Sequence, residues 1–120
     1  MADKTTYHGS CHCGAVSYEA KSPPITQAIA CNCSMCRRKG TLLAFIPASD
    51  FTLRSGEDAL VDYQFNRNVI HHLFCRTCGV TSFARGTMPD GTATVALNTR
   101  CLDEVDVDGL KIMPFDGKSA

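Results

Sequence analysis

Seven of the eight cysteines fall into three short clusters, Cys11/Cys13, Cys31/Cys33/Cys36 and Cys75/Cys78. Thiolates are soft ligands that favour zinc over magnesium, calcium or manganese. Four thiolates plus three suggest two zinc sites of different kinds. A structural zinc takes four protein ligands, whereas a catalytic zinc keeps three and leaves a position for water or substrate. Cys11-His12-Cys13-Gly14 and Cys75-Arg76-Thr77-Cys78-Gly79 each offer two sulfurs followed directly by glycine. Glycine lets the backbone curl around a metal with its amides turned towards the sulfurs. Neither pair fills a tetrahedron alone, so a shared zinc would staple the start of the chain to its middle. A redox dithiol at Cys75/Cys78 is the other reading, but no thioredoxin-like strand-to-helix context surrounds it.

Cys31-Asn32-Cys33-Ser34-Met35-Cys36 packs three thiols into six residues, enough to wrap one face of a metal and leave the opposite face free. On zinc an incoming thiol loses its proton and becomes a positioned nucleophile. Cys101 or His12 as a fourth ligand would instead make this a second structural site, and spacing leaves that open. Arg37-Arg38-Lys39 follow at once. Arg37 and Arg38 are candidates to hold substrate carboxylates, or the run is simply a solvated face. His71 and His72 sit on a strand and should face opposite ways, and a strand histidine is more often packing than catalysis. Cys101 standing alone reads as a small buried residue. No Ser-His-Asp spacing, phosphate-cradling loop or paired-carboxylate pattern competes.

These side chains must be positioned by a small scaffold. The 120 residues fit one domain, residues 1–120 with a core from about 7 to 117. The 12 basic and 12 acidic residues balance, so no overall field draws nucleic acid or an anionic membrane. A polar start and the lack of a long apolar run predict a cytoplasmic protein. In a reducing compartment the cysteines read as metal ligands rather than a disulfide framework. A disulfide within Cys11-His12-Cys13 would also be strained.

Turn signals about every ten residues predict an all-β domain with at most short helical turns. Strands are expected at 15–20, 25–30, 42–46, 51–54, 60–65, 69–74, 80–84, 92–97 and 110–113. Asn66-Arg67-Asn68 makes one hairpin turn and Met88-Pro89-Asp90-Gly91 another. Ser34 to Lys39 reads as one helical turn capped by Ser34 and ended by Gly40. A second short turn is expected at 49–50, and a third within 103–108.

The three clusters with their flanks resemble the family of glutathione-dependent formaldehyde-activating enzymes and centromere protein V. Ile46-Pro47-Ala48-Ser49, Cys75 to Phe83, Cys101-Leu102-Asp103-Glu104 and Phe115-Asp116-Gly117 are most similar to the centromere protein V branch. The resemblance implies a zinc-stapled, mainly antiparallel β-tent. It implies structural zinc at Cys11, Cys13, Cys75 and Cys78, and a second, labile zinc at Cys31, Cys33 and Cys36 where glutathione is handled. The implied activity is that of a carbon–sulfur lyase joining glutathione and formaldehyde as S-(hydroxymethyl)glutathione. The expected partner is a small thiol such as glutathione, and the protein a monomer or homodimer. Two rival readings fit the same cysteines: a noncatalytic zinc-stapled interaction module, and a metal-independent thiol–disulfide reductase.

Overall fold

The computed structural model describes residues 4–64 and 70–116. Among them are ten strands: β1 (Thr5–Ser10), β2 (Ser17–Ser22), β3 (Gln27–Cys31), β4 (Leu43–Pro47), β5 (Phe51–Ser55), β6 (Leu60–Tyr63), β7 (His71–Cys75), β8 (Phe83–Thr87), β9 (Ala93–Asn98) and β10 (Lys111–Phe115). One helix, α1 (Ser34–Lys39), and four single 3-10 turns complete the set. The expected all-β fold with short helical turns is the one observed.

The strands form a small sheet in the order β1-β2-β5 and a large one in the order β10-β3-β4-β9-β8-β7-β6. Neighbours run antiparallel except β3 and β10, which pair in parallel from Lys111 opposite Gln27 to Phe115 opposite Cys31. Parallel neighbours need a long connection, and here most of the chain supplies it.

The core lies between the sheets. Val16, Val95 and Leu97 have no exposed surface, and Tyr18 and Phe83 are nearly as buried. Three rings meet at its centre, Tyr18 with Phe51 at 5.0 Å, Tyr18 with Phe83 at 5.5 Å and Phe51 with Phe83 at 4.7 Å between centroids. The Tyr18 hydroxyl donates to the Ser82 carbonyl at 3.0 Å, so this ring ties the small sheet to the large one. Its other side lies on Gly9, where a Cβ would come within 2.3 Å of the ring.

Two departures from the sequence reading have clear causes. β1 carries only Tyr7 and Gly9 as buried positions, so its composition hides it. Val80 to Ser82, expected to open a strand, are irregular, and β8 starts at Phe83. The backbone there is committed elsewhere. Val80 O accepts from the Cys75 amide at 3.1 Å, Ser82 O from the Asn98 amide at 3.0 Å, and Thr81 O from the Asn98 side chain at 2.8 Å. The β6/β7 hairpin pairs as expected, and its Asn66-Arg67-Asn68 turn lies outside the described residues.

Candidate functional site

The turn between β1 and β2 brings Cys11 and Cys13 to the turn between β7 and β8, which carries Cys75 and Cys78. All four sulfurs lie within 4.8 Å of one another. Cys13 Sγ is 3.6 Å from Cys11 Sγ and 3.7 Å from Cys75 Sγ. A tetrahedral metal with sulfur bonds of about 2.3 Å requires sulfurs about 3.8 Å apart, so the set fits such an ion, and the separations exclude disulfides. Amides turn inward as the glycines suggested: Val16 donates to Cys11 Sγ and Thr77 to Cys75 Sγ, each at 3.4 Å. The Cys13 and Val80 amides pull the Cys78 thiol down to about 6, and those of Cys78 and Thr77 hold Cys75 below its ordinary value. Cys11 and Cys75 are buried in the core. This cluster is closed.

The second cluster is built differently. β3 delivers Cys31 at its last residue, and the chain turns at once into α1. The cap of that helix is Cys33, one residue before the expected Ser34. Its extended backbone and its sulfur, which accepts from the Cys36 amide at 3.3 Å, take the capping role. The Cys33 amide in turn donates to Cys31 Sγ at 3.4 Å. Gly40, at φ 72°, ends the helix by donating to Cys36 O at 2.9 Å.

The three sulfurs lie within 4.8 Å of one another, and among the described residues no fourth cysteine, histidine or carboxylate joins them. Cys101 and His12, the possible fourth ligands, lie elsewhere. Both line a separate cavity of about 430 Å³ beside Cys11, and Cys101 Sγ donates to Thr81 O at 3.8 Å. Burial pushes the Cys36 thiol up to about 12 and also raises Cys31. Burial acts on Cys33 in the same direction and is the largest single influence, yet the hydrogen bonds from the Cys36 and Met35 amides and from the Cys36 and Cys31 side chains together outweigh it and leave Cys33 lowered. Cys33 is therefore the first of the three to ionise.

All three sulfurs border a cavity of about 790 Å³. It lies on the face of the large sheet that points away from the core: along β9, Val95 and Leu97 enter the core while Thr94, Ala96 and Asn98 line the cavity. Arg37 and Arg38 do not line it. Both are exposed on α1, and Arg38 Nη1 bonds to Ser34 O at 2.9 Å. The lysine beside them does line it: Lys39 Nζ donates to Thr81 Oγ1 at 2.8 Å and sits 5.9 Å from the Phe74 ring centre. Burial lowers its pKa. His71 and His72 face opposite ways as expected. His71 meets Asp62 at 2.7 Å near the surface, and His72 is buried in the cavity wall. Burial first, then the nearby Lys39 charge, holds His72 below its ordinary value.

A family profile described as glutathione-dependent formaldehyde-activating enzyme matches residues 6–112. The chain belongs to that family. A crystal structure of a Rhodobacter sphaeroides protein is similar to this chain with a TM-score of 0.76 and 31% identity, over 88% of this chain and 99% of that one. Among the described residues no helix is long and apolar enough to cross a membrane. In this formaldehyde-activating family member the two cysteine groups differ in kind: one brings four sulfurs together, with Cys11 and Cys75 buried and Cys13 exposed, and the other opens on the cavity with three sulfurs. Sequence reasoning missed the walls of that cavity. The signal was the unbroken apolar run of β4, Leu43-Ala44-Phe45-Ile46-Pro47, which marks a strand with two apolar faces.

Proposed function

We propose that this protein is a single-domain zinc enzyme of the carbon–sulfur lyase or synthase type. It would act on a small thiol or its aldehyde adduct, with glutathione plus formaldehyde as the model reaction. The observation that supports this best is the convergence of Cys31, Cys33 and Cys36 on a cavity without a fourth protein ligand. Cys11, Cys13, Cys75 and Cys78 would hold a structural zinc, and the triplet a second one. When bound at the triplet, zinc supplies Lewis-acid activation of a thiol.

The chain's own groups serve the rest of the reaction. Adduct formation makes one sulfur–carbon bond, takes a proton from the thiol and returns one to the carbonyl oxygen. His72, kept neutral by burial, is suited to carry that proton. The largely apolar walls lower the local polarity around Lys39, which strengthens its pull on an anionic sulfur or a carboxylate. We assign to Lys39 the anion-holding role suggested for Arg37 and Arg38, because Lys39 alone of the three lines the cavity. A cytoplasmic setting suits this many free thiols. Within the family, Ile46-Pro47-Ala48-Ser49 and Cys101-Leu102-Asp103-Glu104 favour the centromere protein V branch.

Calorimetric titration of the zinc-loaded protein with glutathione, repeated on Cys33→Ser, tests the reading. Binding in the parent protein and its loss in the variant are expected. An absence of binding by glutathione and by simple alkanethiols alike, or binding that Cys33→Ser leaves unchanged, overturns it.

A further inference from the structure

The cavity at Cys31, Cys33 and Cys36 is far larger and more apolar than formaldehyde requires. Pockets of roughly 300–1,000 Å³ suit whole drug-sized ligands, and this one measures about 790 Å³. Four large hydrophobic side chains stand at its border half exposed: Phe45 at 54%, Ile70 at 49%, Met88 at 50% and Phe115 at 53%. They come from separate parts of the chain, namely β4, the residue before β7, the residue after β8 and the end of β10. Their only common feature is this cavity, and the fold's own core needs none of them. Leaving a cluster of apolar side chains in water at one place marks a surface that receives an apolar ligand or partner.

Besides the cysteines, the lining carries four threonines, His72, Lys39 and Asn98 as its polar side chains, and several of these are already engaged. Lys39 bonds to Thr81. The Asn98 side chain donates to Thr81 O at 2.8 Å and accepts from the Arg100 amide at 3.2 Å. Among the described residues no arginine and no carboxylate lines the cavity. Among the described residues of the lining, a tripeptide thiol with two carboxylates and an ammonium finds one lysine, one histidine and no carboxylate. An alkyl chain or aryl ring finds walls on several sides.

Resting on the reading of the triplet as the thiol site, we infer that the natural substrate is a thiol–aldehyde adduct bearing a medium-length alkyl chain or an aryl ring. Phe45, Ile70, Met88 and Phe115 set this specificity. The apolar group lies along the outer face of the large sheet while its sulfur reaches the triplet. The reaction is otherwise unchanged, with the sulfur–carbon bond formed or broken as one proton moves between thiol and oxygen.

Titration of the zinc-loaded protein by calorimetry with the straight-chain thiols from ethanethiol to hexanethiol, with glutathione as reference, tests the inference. Affinity should rise about fourfold for each added methylene, the equivalent of about 0.8 kcal/mol per buried CH₂. The double variant Phe45→Ser/Phe115→Ser, altered only at half-exposed side chains, should keep its circular dichroism and lose most of that slope. NMR measurement of adduct formation then locates the apolar group. Hexanal outpacing formaldehyde places it on the aldehyde, hexanethiol outpacing glutathione places it on the thiol, and no gain on either side counts against the inference. A flat series with glutathione still bound overturns the inference and leaves the thiol site standing. If neither glutathione nor any alkanethiol binds, the thiol site itself is wrong. A flat series in a dimer that Phe45→Ser dissociates shows the apolar border to be a subunit contact, which also overturns it.

Discussion

Cys33 does two jobs with one sulfur, since it faces the cavity with Cys31 and Cys36 and caps α1 through the Cys36 amide. Serine keeps a capping oxygen but is a poor ligand for a soft metal. Cys33→Ser should therefore lose one metal equivalent by elemental analysis while its melting temperature changes little. Cys75→Ser should behave otherwise. Cys75 is fully buried in the core, and structural metal binding is itself folding free energy. That variant should lose the other equivalent and most of its cooperative melting transition.

A residue-scale pH effect is expected at the exposed pair His8–Glu104. The Glu104 side chain bonds to the His8 ring, which raises the histidine from its ordinary 6.5. Slight burial opposes ionisation of Glu104, but the His8 amide and ring outweigh it and hold the carboxyl below its ordinary 4.5. The stabilisation is thus complete between 4.5 and 6.5. It is lost above that range as pH passes the raised value of His8, and below it as pH passes the lowered value of Glu104. The melting temperature difference between the parent and His8→Gln should be larger at about pH 5.5 than at about pH 8.5, and small throughout, as for exposed pairs.

Elements with strong local signals were legible in the sequence. The helix from Ser34 to Lys39 was, because Gly40 ends it, although a cysteine cap is rare enough that Ser34 drew attention from Cys33. The cysteine clusters were legible because ligand spacing is short-range. β1 was not, since Thr5, Thr6 and His8 face water and only one large apolar side chain, Tyr7, turns inward. The parallel pairing of β3 with β10 was not, because nothing local marks a partner most of the chain away. Gly9 was equally silent. Its role exists only because Tyr18 lies opposite it, pinned by Ser82 and by two neighbouring rings. Gly9→Ala should destabilise the protein by about 1–3 kcal/mol, the usual cost of overpacking, read as a lower urea midpoint.

At the scale of the molecule, the four-sulfur group brings the β1–β2 turn of the small sheet to the β7–β8 turn of the large one, while the three-sulfur group sits at the end of β3 and opens on the outer face. The cavity was the least legible part of the chain. Its walls come from α1 and from β3, β4, β7, β8, β9 and β10, and which face of each strand they occupy depends on how the sheets stack. With a metal in each group, this placement predicts unequal loss. Graded chelation should remove the triplet's metal first with little change in melting temperature, and a large fall should accompany loss of the second equivalent.

The most direct measurement of this asymmetry is the visible absorption of the protein loaded with two equivalents of cobalt, before and after adding glutathione. Half of the cobalt should respond, with a changed d–d spectrum that Cys33→Ser abolishes and that leaves the four-sulfur signal intact. A spectrum that ignores glutathione, or one in which both ions respond alike, would contradict the division into a closed site and an open one.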